Sequence, residues 1–149
     1  MLQFHRVTIE DKAFVDPFVL AENSRSADFN FGNIYLWDTA YRQFLASVDG
    51  RLITKLRYES LPFFAFPIGS GDIRPAVEAI EEFCAAEPCC IRLRGVTDEH
   101  RELLETAYPG RFNFSEDRDN FDYVYLAEKL ASFSGKKLHG KRNFCNRFE

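Results

Sequence analysis

The chain has 149 residues, 46% hydrophobic and 15% aromatic, with 16 Phe, which is material for one buried core and excludes a disordered segment. Its formal net charge is −4. Within the closing GKKLHGKRNFCNRFE, five cations stand against one acid, so this stretch is at +4 and residues 1–134 are at −8. An anionic partner is therefore directed to the C-terminal segment and away from the rest.

MLQFHRVTIE lacks the apolar stretch of a signal peptide, and no run reaches the ~18 apolar residues of a membrane span, so a cytoplasmic protein with no transmembrane segment is expected. Cys84, Cys89, Cys90 and Cys145 show no zinc spacing, and His5, His100 and His139 lie far apart. No metal site is expected, and the cysteines read as buried reduced thiols that pack as small hydrophobes.

Leu2 to Ile9 reads as a strand leading into Glu10-Asp11, which suits a helix start. The next segment sets Phe14 and Phe18 on one face. Pro17 inside it predicts a short or kinked helix, because proline removes an N–H and crowds the preceding turn. Ser26 to Tyr41, dense in aromatics on several sides, reads as a largely buried helix. RQFLASV-DG-RLITKLRY predicts a hairpin on a type I′ turn at Asp49-Gly50. Its second strand places Leu52, Thr54, Leu56 and Tyr58 on one face, with Arg51, Lys55 and Arg57 on the other. PFFAFPI returns after Glu59-Ser60-Leu61 as a third strand of an antiparallel meander.

In GSGDIRPAVEAIEEFCAAEP, Asp72 is the expected N-cap and Pro75 falls in the tolerant first turn. Ile73, Ala76, Val77, Ile80, Phe83 and Cys84 form the apolar stripe, and Pro88 is the stop. CIRLRGV predicts a strand with Ile91 and Leu93 inward and Arg92 and Arg94 outward. Thr97-Asp98-Glu99 opens a helix burying Leu103, Leu104 and Ala107 until Pro109-Gly110. Phe112 to Phe114 and FDYVYL read as further strands around the acidic turn SEDRDN. Leu126, Leu130 and Phe133 suggest a short helix closed by Gly135. The fold class is α/β (α+β), a layered fold with a mixed, mostly antiparallel sheet flanked by helices.

NFGNIYLWDTAYR, the DG hairpin, FPIGSGD and RLRGVT each opening a helix, FDYVY and GKKLHGKRN occur in the order found in a bacterial family. From Phe4 to Phe148 the chain resembles the N-terminal half of that family, which is related to the C-terminal domain of phosphatidylglycerol lysyltransferase. The resemblance implies an acetyltransferase-like (GNAT-like) fold and transfer of an acyl or aminoacyl group, with acyl-CoA or aminoacyl-tRNA as donor. Relatives are roughly twice this length. The resemblance therefore implies a lobe over residues 1–134 and a basic junction segment over 135–149 leading to an absent second GNAT-like lobe, or to a homodimer partner.

Lys136, Lys137, His139, Lys141, Arg142 and Asn143 are the candidate donor- or anion-binding residues, able to hold phosphates of tRNA, a cofactor or a lipid headgroup. A connector helix packing Phe144 and Phe148 on a second lobe is the structural alternative. Gly69-Ser70-Gly71, at a helix start, is a candidate phosphate loop. Phe66-Pro67-Ile68 replaces the Arg or Gln usual before such glycines in acetyltransferases, and Asp72 would repel a phosphate, so a tight strand-to-helix turn is the competing reading. Acid–base candidates are His100, His139, Glu99, Asp122, Tyr123 and Tyr125, with His139 the weak catalytic candidate and His100 expected at the surface. Three functions are open: an acyl- or aminoacyltransferase-like lobe, a non-catalytic scaffold half, and an acetyl-CoA-dependent N-acetyltransferase.

Overall fold

The computed structural model describes residues 2–58, 61–87 and 90–148, with Tyr58 and Leu61 described by backbone alone. The expected turn at Glu59-Ser60, the stop at Pro88, Cys89 and the terminal Glu149 lie outside the described residues. Contacts divide the chain into two compact units, Met1–Ser115 and Glu116–Glu149. The lobe boundary expected at residue 134 falls inside the second.

The first unit is built on one sheet. Its strands are β1 (His5–Arg6), β2 (Phe44–Val48), β3 (Arg51–Tyr58), β4 (Leu61–Ala65), β5 (Ile68–Gly69) and β6 (Leu93–Arg94), ordered β1-β2-β3-β4-β6, with β5 also paired to β3. Every pairing is antiparallel except β4 with β6. The helices are α1 (Lys12–Glu22), α2 (Phe31–Leu36), α3 (Asp38–Tyr41), α4 (Ile73–Ala86) and α5 (Asp98–Ala107). A mostly antiparallel open sheet flanked by helices is an α+β, GNAT-like fold, as expected.

The hairpin stands as read. Asp49 (φ 45) and Gly50 (φ 77) both occupy the positive-φ region that a type I′ turn requires. Past it, Lys55 faces Phe64 but Leu52 faces Ile68, so the returning chain holds one residue more than β3 over the same stretch. The extra residue is absorbed as a bulge at Phe66-Pro67, where proline's missing N–H takes nothing from the ladder.

Helices cover both faces of this sheet. Ile53 and Phe64 pack against Ala76, Ile80 and Cys84 of α4. On the opposite face Leu45 and Leu52 join Val15 of α1, Ile34 of α2 and Leu104 of α5. The face of β3 that carries Arg51, Lys55 and Arg57 is therefore covered at Arg51 and Lys55 and meets water only at Arg57. Arg51 is 6% exposed, and the Lys55 ammonium lies 4.4, 4.9 and 4.6 Å from the ring centroids of Phe4, Phe44 and Phe83.

Several elements depart from the sequence reading for local reasons. β1 is two residues long because the Thr8 N–H donates to Asp11 Oδ2 (2.7 Å), turning the chain into a 3₁₀ turn at Ile9–Asp11. Residues 26–41 are not one buried helix. Asn30 caps α2 by accepting from the Asn33 N–H (2.9 Å), Trp37 breaks the helix at φ −85, ψ 1, and Leu36 and Trp37 are 70% and 52% exposed. α1 continues through Pro17 for 11 residues. α4 matches its stripe, with Asp72 capping it through the Arg74 N–H (3.1 Å). On α5 the buried positions are His100 and Leu104, and Leu103 is exposed. β6 keeps only two residues of its predicted strand, with Ile91 and Leu93 half-buried and Arg92 and Arg94 exposed, as read. Phe112 and Phe114 pack on the core without joining the ladder.

The second unit holds a 3₁₀ turn (Arg118–Asn120), α6 (Ala127–Ser132), a 3₁₀ turn (Lys136–Leu138) and α7 (His139–Phe148). Residues 121–126, read as a strand, have no ladder partner among the described residues and are irregular. The turn after α6 is made by Phe133, itself at φ 45, before Gly135 at φ 90. No described helix is long and apolar enough to cross a membrane.

Candidate functional site

The glycine turn sits over an internal polar network. Glu22, the last residue of α1, accepts the Gly69 N–H at Oε2 (2.9 Å) and meets His100 Nε2 at Oε1 (2.6 Å). The Thr97 N–H donates to His100 Nδ1 (3.3 Å), which leaves Nε2 as the donor to Glu22. His100 stacks on Phe66 with centroids 3.7 Å apart and planes 7° apart. Its side chain is 8% exposed and that of Glu22 11%. The expectation of a surface His100 is thus corrected: the first turn of α5 faces the bulge, and Phe66 and Glu22 enclose the ring.

Arg51 ties the same turn from the other side, donating from Nε to Gly71 O (2.7 Å) and from Nη1 to Pro67 O (2.7 Å). Burial holds this guanidinium below its ordinary value, against the pull of the Glu22 and Asp72 carboxylates. The turn also presses on the hairpin. A Cβ at Gly69 would stand 2.2 Å from Gly50 O, and one at Gly71 1.7 Å from Asp49 O. Close backbone approach accounts for both glycines. Ser70 is exposed. The Asp72 carboxylate at the helix start is held below its ordinary value by the Arg74 N–H and side chain.

A second arrangement lies at the β1 edge. An open groove of ≈ 590 Å³ is lined by Leu2, Gln3, His5, Phe14, Ala46, Ser47, Val48 and Ala79. On its wall His5 Nε2 meets Asp11 Oδ1 at 2.9 Å. Burial raises the Asp11 carboxyl, but the Thr8 N–H, His5 and the Thr8 hydroxyl outweigh it and the net value is lowered. Asp11 therefore remains an anion that orients the imidazole.

The cationic segment forms the second 3₁₀ turn and α7 of the second unit. Lys136, Lys137, His139, Lys141, Asn143 and Arg147 are exposed. Arg142 is half-buried and donates from Nη1 to Phe133 O (2.8 Å), so it is partly spent on closing the turn after α6. Lys141 lies over the Tyr125 ring (5.6 Å), and His139 Nδ1 contacts Asn143 Nδ2 at 3.4 Å. Leu138 is buried, while Phe144 and Phe148 are 72% and 95% exposed.

The other acid–base candidates are scattered. Glu99 is exposed in the first turn of α5, held below its ordinary value chiefly by its own backbone amide and the Thr97 hydroxyl. Asp122, Tyr123 and Tyr125 lie on the exposed irregular stretch. The cysteine expectation is corrected in part: Cys84 is buried, but Cys90 and Cys145 are exposed free thiols. No group of metal-ligating side chains occurs among the described residues. Glu22–His100 and His5–Asp11 escaped the sequence reading. The first pair is separated by 78 positions, and the second spans a turn whose capping geometry alone brings its members together.

A crystal structure of a conserved protein of unknown function from Bacteroides thetaiotaomicron superposes with a TM-score of 0.87 at 32% identity, covering 99% of this chain and 50% of that one. The chain thus spans half the length of that relative. No curated protein matches. The family described as phosphatidylglycerol lysyltransferase, C-terminal, matches over residues 21–149. With most of its length inside that match, the chain belongs to the phosphatidylglycerol lysyltransferase C-terminal family, an acyl- or aminoacyltransferase-related domain.

Proposed function

We propose that the chain is one lobe of an acyl- or aminoacyltransferase, with the cationic segment holding a phosphate-bearing donor such as charged tRNA and with a second lobe completing the machine. One observation carries the donor assignment: Lys136, Lys137 and Arg147 are exposed cations on one short segment, and none is engaged in an ion pair among the described residues. Clustered, unneutralised cations are what a polyanion requires. The family match supports the transfer chemistry. His139, exposed beside these cations, is the residue of this segment able to accept a proton from an acceptor amine or hydroxyl.

The glycine turn is the weaker donor site. Its Gly69 N–H already has the Glu22 carboxylate as an internal anion, and Asp72 stands beside it. The acetyl-coenzyme A reading therefore ranks below the cationic segment. The scaffold reading has its own support in Phe144 and Phe148, exposed apolar rings on α7.

Melting curves with an uncharged tRNA pool and with acetyl-coenzyme A separate these readings. Ligand at 100 times its dissociation constant adds about 2.7 kcal/mol, a shift of several degrees. A tRNA shift lost in the K136A/K137A/R147A variant supports the proposal. A coenzyme shift without a tRNA shift replaces it with the acetyltransferase reading, and silence from both leaves the scaffold.

A further inference from the structure

In the second unit, residues 121–126 (FDYVYL) are a mostly apolar segment that joins no ladder among the described residues. The backbone is extended at both ends, with φ −76, ψ 131 at Phe121 and φ −68, ψ 134 at Leu126. Among the described residues, no backbone hydrogen bond is made by the N–H groups of Asp122 to Leu126. Tyr125 is 39% exposed with Lys141 over its ring, and the other apolar side chains are barer. Phe121 is 56% exposed, Tyr123 88%, Val124 86% and Leu126 60%.

Phe, Tyr and Val are strand formers, and they are costly to leave in water. Extended backbone with free donors, carrying apolar side chains on both faces, is what a sheet edge takes up by strand addition. Its alternation places Phe121, Tyr123 and Tyr125 on one side and Asp122, Val124 and Leu126 on the other, so a strand made here carries apolar side chains on both faces, with Asp122 at its starting end. The solved relative indicates the occupant, because this chain accounts for 50% of its length.

We infer that residues 121–126 form a β-strand on the sheet edge of a second lobe, of the kind that makes up the other half of the Bacteroides protein. The inference rests on the two-lobe reading above and adds the surface through which the lobes join.

The test is hydrogen–deuterium exchange on the 149-residue chain and on a full-length chimera in which it replaces the matched half of the Bacteroides protein. The intact Bacteroides protein serves as the folded reference. In the chain alone the amides of 122–126 exchange at unprotected rates, and in the chimera they slow by about 100-fold or more. Val124→Pro, which removes one ladder donor, abolishes that protection in the chimera and leaves the first unit's melting unchanged in the chain alone.

Protection in the intact Bacteroides protein at the aligned segment but not in the chimera overturns the inference for this chain. Protection in the chain alone that rises with its concentration assigns residues 121–126 to a second copy and also overturns it. Binding of tRNA, measured on the same samples, tests the donor reading separately. Val124→Pro leaves it intact, and its loss with residues 121–126 still protected counts against the donor reading only.

Discussion

Glu22 offers the sharpest test of how the first unit is held together. Its two carboxylate oxygens serve the Gly69 N–H at 2.9 Å and the His100 Nε2–H at 2.6 Å, at a side chain only 11% exposed. Glu22→Ala strands both donors in the interior. An unsatisfied buried donor costs about 1–3 kcal/mol, so two cost about 2–6 kcal/mol. After local relaxation the expected loss is about 3–5 kcal/mol, a large fraction of the roughly 5–15 kcal/mol that holds a domain. In urea, with a slope of about 2 kcal/mol/M, the midpoint falls by about 1.5–2.5 M. Glu22→Gln keeps one acceptor oxygen and should lose about half as much, roughly 1–3 kcal/mol. The Glu22→Ala/His100→Ala cycle should show coupling of at least about 1 kcal/mol. A midpoint shift below about 0.3 M for Glu22→Ala would refute the reasoning, since water would then be replacing the carboxylate.

Gly71→Ala places a methyl 1.7 Å from Asp49 O, so it should unfold the first unit at markedly lower temperature. Gly110→Ala, at φ +68 with nothing within 4 Å, should cost only the left-handed backbone penalty of about 1 kcal/mol. The Asp38 carboxyl is raised by burial but lowered more by Arg6 and the Gln43 N–H, so its folded value lies below the ordinary 3.8. A depressed acid contributes stability above 3.8 and loses it as pH falls through the folded value. Asp38→Asn should therefore melt below wild type at pH 7, and the two curves should converge in strong acid. Cys90 and Cys145 should react with a thiol reagent in the native state and Cys84 only on unfolding, read by comparing the three single Ser variants.

Local chemistry was legible where a few neighbouring residues decide the outcome. Asp49-Gly50 specified its turn, Asp72 its helix start, and the stripe on α4 its buried face. What stayed hidden depends on packing between distant segments. β3 alternates as though one face were wet, yet α4 covers Ile53 on that face and carries Phe83 over Lys55, leaving Arg57 exposed. His100 reads as a surface residue in the first turn of α5 until Phe66 and Glu22 enclose it. FDYVYL has the composition of a strand, but composition cannot supply the neighbouring strand a ladder requires, and among the described residues none pairs with it. At the cationic segment, Lys136, Lys137 and Arg147 are exposed, whereas Arg142 turns inward to Phe133 O, a contact that charge counting along the sequence does not show.

The proposal that the cationic segment holds a phosphate-bearing donor is tested most directly by the salt dependence of tRNA binding. Fluorescence anisotropy of labelled tRNA would be titrated with the wild-type chain and with K136A/K137A/R147A across a range of salt concentrations. Each phosphate contact adds about 0.7–0.9 to the slope of log affinity against log salt, so removing three cations should flatten it by about two to three. Loss of affinity with that flattening is the predicted result. An unchanged slope in a variant that melts like wild type would contradict the account.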